Sequence, residues 1–378
     1  MKVAIIHDWL NTKIGGAEAV FFELAQIYPE ADLYALICDY QKFGNFLGGR
    51  RVRTSSLQNL PDFLKRQPKL LLPFIERAVN KIDLSSYDLV ISSSTAWVKN
   101  VNVGKNTKHV CYCHSPARML WDSWPKYLDT QSVGRFKLGP IGKYFVSKLV
   151  SDLRLWDYHA SKNVDLFIGN SKYIAGRIKK YYRRNAVVVY PPVATELFDG
   201  QYKTIKQDFY LILSVLSQYK NIELAIEAFA CNKKPLVIAG SGPDELRLRE
   251  LAKNAPNISF VGRVSQSRKV ELLRQSKGFI FPGVEDFGIT PVEAMAAGTP
   301  VIALNEGGVR ETVIDMKTGV FFDDATPEAL NEAIEKAEGI AFDKRVFVKQ
   351  AKKFDQKIFA KAMKKYSEQI VSRDVKAK

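Results

Sequence analysis

The stretch Phe281–Gly298, with the sequence FPGVEDFGITPVEAMAAG, decides how this chain is interpreted. It joins a short apolar run at Gly278–Phe281, typical of a buried strand, to a predicted helix at Pro291–Ala297. Two acids, Glu285 and Glu293, stand in it with seven residues between them. Because the unpaired amides and the dipole of a helix N-terminus attract anions, this strand-to-helix turn predicts an anion-binding site.

A purely structural interpretation of the same helix start is equally open at this point. Thr290 as the N-cap, Pro291 at the first helical position and Glu293 three residues after Thr290 have the pattern of a capping box. In that arrangement the Glu293 carboxylate accepts from a backbone amide and needs no ligand. The rest of the chain has to decide between the two interpretations.

The length and composition indicate an ordinary two-domain soluble protein. The chain has 378 residues, of which 46% are apolar and 25% charged, and this is too long for one core. No apolar run reaches the roughly 20 residues of a membrane helix, and the N-terminus is patterned as a strand rather than a signal peptide. We expect a cytosolic chain, with four scattered, reduced cysteines and no zinc site.

The net charge of +16 is concentrated in two segments. Residues 344–378 hold twelve Lys or Arg against three acids, and Arg50–Lys81 holds eight against two, interleaved with Leu, Phe and Pro. Such clusters are typical of contacts with anionic lipid, phosphorylated substrates or nucleic acid, but also of an ordinary solvated helix face.

Strand-like apolar runs alternate with helical segments in both halves, which predicts an α/β protein with parallel sheets. The predicted strands of the first half are Val3–His7, Asp32–Ile37, Leu89–Ser93, Lys108–Cys113, Asp165–Gly169 and Val187–Tyr190. Those of the second half are Phe209–Val215, Leu236–Ala239, Ile258–Val261, Gly278–Phe281, Val301–Leu304 and Gly319–Phe322. Pro191-Pro192 predicts a linker, because neither proline donates to a strand ladder, and we expect domains at 1–193 and 194–355.

Residues just after the strands are candidates for ligand binding, because parallel sheets bind ligands at their carboxyl ends. After the first strand, Gly15-Gly16 either lets the backbone approach a phosphate or forms a flexible turn. The fourth strand runs into CHSPARMLWD at 113–122, in which His114 is either a ligand contact or a core histidine. In the second half Lys220 either neutralises a phosphate or faces water. We expect these strand ends to face one crevice between the domains.

Taken together, these motifs resemble the retaining glycosyltransferases of family 4, in the same order along nearly the whole chain. They are Gly15–Glu18, the CHSPARMLWD run, Asn170-Ser171, Val189–Val193, Tyr219-Lys220, Gly240–Pro243, Phe260–Gly262, the stretch with the paired glutamates, and Gly307-Gly308. The resemblance implies the GT-B fold, with two facing Rossmann-like domains and a last helix, 356–378, that crosses back to the first domain. Phe354, Ile358, Phe359, Ala362 and Tyr366 have the spacing of its apolar face.

The resemblance also implies a role for each matched residue. His114 and Glu285 would contact the donor sugar near its reacting centre, and Lys220 would neutralise the leaving diphosphate. The residues implied to hold a nucleotide-sugar donor are Gly15, Gly16, Ser214, Lys220, Arg263, Val264, Glu285, Phe287, Gly288, Ile289, Thr290 and Glu293. On the acceptor side we expect Asp8, Trp9, Arg118, Trp121 and Asp122.

One position departs from the family pattern. Family 4 has an arginine five residues before the lysine, and this chain has Val215 there, which leaves Lys220 as the obvious diphosphate cation unless Arg263 substitutes. No Asp-x-Asp motif precedes the site, so we expect metal-independent transfer, with the nucleotide-sugar as substrate and no resident cofactor.

The sequence most resembles bacterial mannosyltransferases of O-antigen or exopolysaccharide assembly, which implies GDP-mannose as donor and a lipid-linked saccharide as acceptor. We expect a protein at the inner face of the cytoplasmic membrane, with Arg50–Lys81 on an anionic surface and no nucleic-acid partner. The alternatives are a UDP-sugar-dependent family 4 transferase, a nucleotide-sugar epimerase and a non-catalytic nucleotide-sugar binder.

Overall fold

The computed structural model describes residues 1–11, 15–65, 67–122, 132–133, 136–137, 139–198 and 206–375. The chain forms two compact units, Met1–Tyr190 with Phe359–Lys378, and Pro191–Ile358. The boundary after Tyr190 falls directly before Pro191-Pro192, and the boundary after Ile358 falls inside the last helix. None of the helices in the described ranges combines the length and the apolar composition of a membrane span.

The first unit is built on a parallel sheet of seven described strands in the order β3-β2-β1-β4-β5-β8-β9. The strands of this unit are β1 Val3–Leu10, β2 Asp32–Cys38, β3 Val52–Thr54, β4 Leu89–Ser94, β5 Lys108–Cys113, β8 Leu166–Gly169 and β9 Ala186–Val188, with a separate hairpin of β6 Ser132–Val133 and β7 Phe136–Lys137. Its helices are α1 Gly16–Ile27, α2 Tyr40–Phe43, α3 Asp62–Lys65, α4 Leu72–Asn80, α5 Arg118–Trp121, α6 Pro140–Ala160 and α7 Lys172–Tyr182. Apolar side chains fill both faces of the sheet, as continuous apolar runs predict.

The second unit has the strand order of a mononucleotide-binding Rossmann sheet, β12-β11-β10-β13-β14-β15. Its described strands are β10 Tyr210–Leu213, β11 Leu236–Ala239, β12 Ile258–Gly262, β13 Gly278–Phe281, β14 Val301–Leu304 and β15 Gly319–Phe322. Its helices are α8 Ile222–Asn232, α9 Glu245–Leu251, α10 Gln266–Gln275, α11 Ile289–Ala296, α12 Val309–Thr312, α13 Pro327–Glu338 and α14 Lys344–Ala351. All six predicted strands of this half are confirmed, and only β10 and β12 differ from the predicted bounds at their ends.

The last helix, α15 Gln356–Val375, returns to the first unit. Phe359 and Met363 are buried in the core of that unit, and the Phe359 ring meets Tyr112 of β5 edge-on at 5.6 Å. The predicted return of the chain is therefore confirmed, but Ile358 is 51% exposed and does not belong to the buried face.

The sequence failed to predict strand β3, which lies inside the basic segment Arg50–Lys81. It has three residues, pairs only with β2 among the described strands, and buries only Val52. An edge strand of this length leaves too short an apolar pattern to recognise.

Candidate functional site

Lys220 and Glu285 form an ion pair at the carboxyl end of the second sheet. Lys220 lies in a 3-10 turn, Gln218–Lys220, which follows β10, and Glu285 lies in the loop that follows β13. Strands β10 and β13 are hydrogen-bonded neighbours, so both residues leave the sheet at the same place. Lys220 Nζ contacts Glu285 Oε1, with side chains 12% and 24% exposed. The structure thus brings together two of the residues that the sequence singled out.

Three glycines allow this close approach of backbones. A Cβ on Gly283 would lie 2.6 Å from the Lys220 carbonyl oxygen, and one on Gly307 would lie 2.5 Å from that of Glu285. Gly307 also has a φ of 79°, and the Gly308 amide donates to the Glu285 carbonyl at 2.9 Å. Any larger side chain at these positions would displace the Glu285 loop. The sequence indicated a turn at Gly307-Gly308 but not this contact with Glu285.

Two further glycines fix the turn that leads to Lys220. Gly240 has a φ of 135°, and a Cβ there would stand 1.8 Å from the Ser214 carbonyl oxygen. A Cβ on Gly242 would stand 2.0 Å from the Leu216 carbonyl oxygen. These two glycines therefore allow the loop after β11 to pack closely on the loop after β10. Val215, at the position of the family arginine, is 49% exposed between Ser214 and Leu216.

The capping-box interpretation of Thr290 and Glu293 is wrong. Helix α11 begins at Ile289, its N-cap is Gly288 with a φ of 84°, and no side chain caps it. Because the left-handed conformation of Gly288 turns the chain into the helix early, Thr290 lies inside the first turn. Glu293 instead accepts a hydrogen bond from Lys269 of α10 at 2.5 Å. Glu293 therefore does not cap this helix, and capping no longer competes with ligand binding as an explanation for this residue.

The Glu293–Lys269 pair is enclosed on the second unit, with side chains 13% and 17% exposed. Burial raises the pKa of Glu293 above its usual value, and the Lys269 ammonium opposes that shift. Lys269 could not be predicted from the sequence, because it is one lysine among others on a helix face, 24 residues from its partner.

The other donor-side residues of this unit contribute in different ways. The Phe287 side chain is buried against the Phe354 ring at 5.6 Å, so only its backbone is available to a ligand. Ile289 and Thr290 form the first turn of α11 and are half-buried. Arg263 is exposed and Val264 half-buried directly after β12.

His114 is the buried candidate of the first unit. It follows β5, its backbone amide donates to the Ser94 carbonyl at 2.8 Å, and its side chain is bonded to Ser93. Burial, and then the neighbouring His7, lower the pKa of His114 to about 3. The imidazole is therefore neutral near pH 7 and works as a hydrogen-bonding group rather than as a cation.

Gly15 and Gly16 begin helix α1, with Gly15 as its N-cap. The Gly15 amide donates to the Glu18 carboxylate at 2.8 Å, so this amide is occupied within the chain. Residues 12–14 of the same loop lie outside the described residues.

The acceptor-side prediction for Asp8 is wrong, and Trp121 has partners within the chain. Asp8 is fully buried, and its carboxylate accepts hydrogen bonds from the amides of residues 95–98 and from the Thr95 hydroxyl. It therefore holds the turn after β4 and cannot contact a saccharide substrate. The Asp8 prediction failed because the strand was expected to end at His7, whereas β1 continues to Leu10 and keeps Asp8 inside it. Trp121 is half-buried; its indole N–H donates to Asp157 at 2.8 Å, and its ring stacks on Tyr181.

The other acceptor-side predictions keep accessible surface. Asp122 pairs with Arg177 and with the Tyr181 hydroxyl and is exposed. Trp9 and Arg118 are half-buried.

The comparisons with known proteins identify the family. A family model described as Glycosyltransferase Family 4 matches residues 14–197, and one described as Glycosyl transferases group 1 matches residues 193–354. The chain is 26% identical to the alpha-1,3/1,6-mannosyltransferase ALG2 of Rhizomucor pusillus over 85% of this chain and 80% of that protein. It is 28% identical to the O-antigen chain mannosyltransferase C of Escherichia coli over 38% and 43% of the two chains.

A solved structure of similar fold is that of Anabaena HepE in complex with UDP. The two match with a TM-score of 0.70 at 16% identity, over 98% of this chain and 100% of that one. The two family models together span most of the sequence, and the paired Rossmann-like units are those of the GT-B fold. The chain belongs to glycosyltransferase family 4.

Proposed function

We propose that this glycosyltransferase moves mannose from GDP-mannose to a lipid-linked saccharide, with retention of the anomeric configuration. The observation that carries the proposal is the Lys220–Glu285 pair, held by glycines at neighbouring strand ends of a nucleotide-binding sheet. The mannosyltransferase relatives support the choice of sugar, and the bacterial O-antigen relative supports the lipid-linked acceptor.

The pair suits a reaction in which opposite charges develop side by side. When the sugar–phosphate bond breaks, the diphosphate gains negative charge and the sugar gains oxocarbenium character. Lys220 and Glu285 neutralise each other's charge. A bound diphosphate would draw Lys220 to its oxygens and leave the Glu285 carboxylate facing the positive sugar. The amides of the first turn of α11 would share the diphosphate charge.

The remaining groups bind and orient the donor. Glu293 would accept from the ribose hydroxyls beside Lys269, and Arg263 and Val264 would border the base. Neutral His114 would hydrogen-bond a hydroxyl of the donor sugar. The departing phosphate would take the proton of the acceptor hydroxyl on the same face, which gives retention. We propose that no metal takes part, because the sequence has no Asp-x-Asp motif before the site.

Binding of guanine nucleotides tests the donor assignment. GDP at 100 times its dissociation constant should raise the free energy of unfolding of the chain by about 2.7 kcal/mol, while UDP and ADP at the same concentration should give much less. Thermal unfolding followed with each nucleotide measures this difference. Glu293→Gln should weaken the GDP effect, and Glu250→Gln, at an exposed acid on α9, should leave it unchanged.

The alternative donor is a UDP-sugar. The observation in its favour is the likeness in fold to HepE, whose structure was solved in complex with UDP. Stabilisation by UDP and not by GDP would replace the mannose assignment by this alternative.

We further propose that the first unit docks on the anionic inner face of the cytoplasmic membrane, where a lipid-linked acceptor resides. Helices α4 and α6 pack together and expose Phe74, Ile141, Tyr144 and Phe145, the last three at 75%, 66% and 63%. Lys148 is exposed on the same helix α6. Aromatic and aliphatic side chains beside lysines favour an anionic interface. The predicted segment Arg50–Lys81 adds Phe63, 64% exposed, but Arg66 lies outside the described residues.

Vesicle flotation tests this docking. The wild-type chain should float with vesicles that contain anionic lipid and stay behind with neutral ones, because each lysine near the surface contributes about 1 kcal/mol. Substituting Ile141 and Phe145 together by serine should lower the floating fraction severalfold. The control is Leu246→Ser, at a leucine 84% exposed on the second unit. Equal flotation with both kinds of vesicle would remove the membrane proposal.

A further inference from the structure

A chain of hydrogen bonds inside the first unit joins two histidines through one serine. His7, near the middle of β1, places its Nδ1 2.9 Å from the Ser93 carbonyl oxygen and 3.1 Å from the Ser93 hydroxyl. The same hydroxyl lies 2.8 Å from Nε2 of His114. His7 is 1% exposed, Ser93 is fully buried, and His114 is 9% exposed.

The chemistry of these atoms fixes where each proton lies. A carbonyl oxygen can only accept, so Nδ1 of His7 carries a proton and donates it to Ser93. The Ser93 hydroxyl then receives the shared bond from His7 and has its own proton to donate. Nε2 of His114 is the acceptor within reach among the described residues, and a buried hydroxyl proton needs one.

We propose that His7 and Ser93 are positioning residues that hold His114 in one neutral tautomer, with its proton on Nδ1. With Nε2 occupied by the Ser93 hydroxyl, Nδ1–H is the donor left for a ligand, and none of the described residues accepts from it. His114 then offers a hydrogen bond to a hydroxyl oxygen of a sugar, and it cannot act as an acceptor there. This inference rests on the proposed function for the identity of the ligand, but the tautomer itself does not depend on it.

The neighbouring residue on β4 provides a matched control. The Ser92 hydroxyl lies 2.8 Å from Nε2 of His109, which is also buried and whose pKa burial likewise lowers to about 3. Because successive side chains of a strand point to opposite faces, this second serine–histidine pair lies on the other side of the sheet. Ser92→Ala and Ser93→Ala therefore remove the same kind of bond, and only Ser93→Ala touches His114.

Nitrogen NMR of the full chain labelled with ¹⁵N-histidine tests the tautomer directly, with His114 assigned from a His114→Gln spectrum. We expect a protonated Nδ1 and an unprotonated Nε2 in the wild type, and loss of this single pattern in Ser93→Ala. A proton on Nε2 of wild-type His114 overturns the inference even if the variants fail to fold.

Steady-state kinetics tests the consequence for transfer. We expect Ser93→Ala to lower kcat about tenfold with the donor KM within about twofold, and Ser92→Ala to leave both unchanged. Unchanged kcat in Ser93→Ala, or an equal loss in Ser92→Ala, overturns the positioning role. A wild-type chain that transfers no sugar contradicts the proposed function instead, and the NMR result then still decides the tautomer.

Discussion

Glu285→Gln is expected to lower the transfer rate by about 100- to 1000-fold, which corresponds to about 3–4 kcal/mol of lost transition-state stabilisation. Glutamine keeps the shape of the side chain and removes the charge that would face the developing positive charge on the sugar. Initial rates at saturating donor measure the effect on kcat. Glu250→Gln is the control, because Glu250 also pairs with a lysine, Lys253, but its side chain is 71% exposed and has no proposed role in catalysis.

The contact between Lys220 and Glu285 also allows the two residues to be tested together. Lys220→Ala should lower kcat by a similar factor, since it removes a charge-assisted contact to the leaving diphosphate. Because the two side chains contact each other, the double variant should lose less than the product of the two single losses. A Glu285→Gln rate within twofold of the wild type would contradict the proposed role of the pair.

The largest expected effect on stability is that of Asp157→Ala in the first unit. The Asp157 carboxylate is fully buried and accepts from four side chains, Lys99, Asn100, Trp121 and Tyr182. Its removal leaves the Lys99 ammonium, 1% exposed, without an anion. We expect the free energy of unfolding of this unit to fall by about 3–5 kcal/mol.

Tryptophan fluorescence in urea measures this loss in the right part of the chain, because all five tryptophans lie within the first 160 residues. Pairing Asp157→Leu with Lys99→Met removes both charges and should recover much of the loss. An unchanged urea midpoint in Asp157→Ala would show that the pair contributes little.

The sequence was sufficient to predict the two sheets because their strands are buried on both sides. Runs such as Leu236–Ala239 and Val301–Leu304 have the same bounds in the structure as in the prediction. Fully buried parallel strands carry an apolar signal at every position, whereas the edge strand Val52–Thr54 buries one residue. Lys220 and Glu285 were both expected just after strands of the second half, but the neighbouring positions of β10 and β13, which bring the two side chains together, are known only from the structure.

Pairings between distant side chains could not be predicted in the same way. Lys269 meets Glu293 from another helix, and Lys99 meets Asp157 from 58 residues away, and neither lysine has a sequence pattern of its own. Asp8 lies inside β1, and its carboxylate binds the amides of residues 95–98 within the chain. At Gly288 a left-handed residue started the helix where Thr290 fitted the capping pattern. Rules that consider only residues close together in the sequence cannot predict these tertiary contacts.

Turnover of GDP-mannose by the wild-type chain, with a polyprenyl-diphosphate-linked saccharide as acceptor, tests the central proposal most directly. We expect GDP release to depend on the acceptor and the new glycosidic bond to be α-configured by NMR, as retention from the donor requires. Tight binding of GDP-mannose with no release of GDP across several lipid-linked acceptors would contradict the proposal.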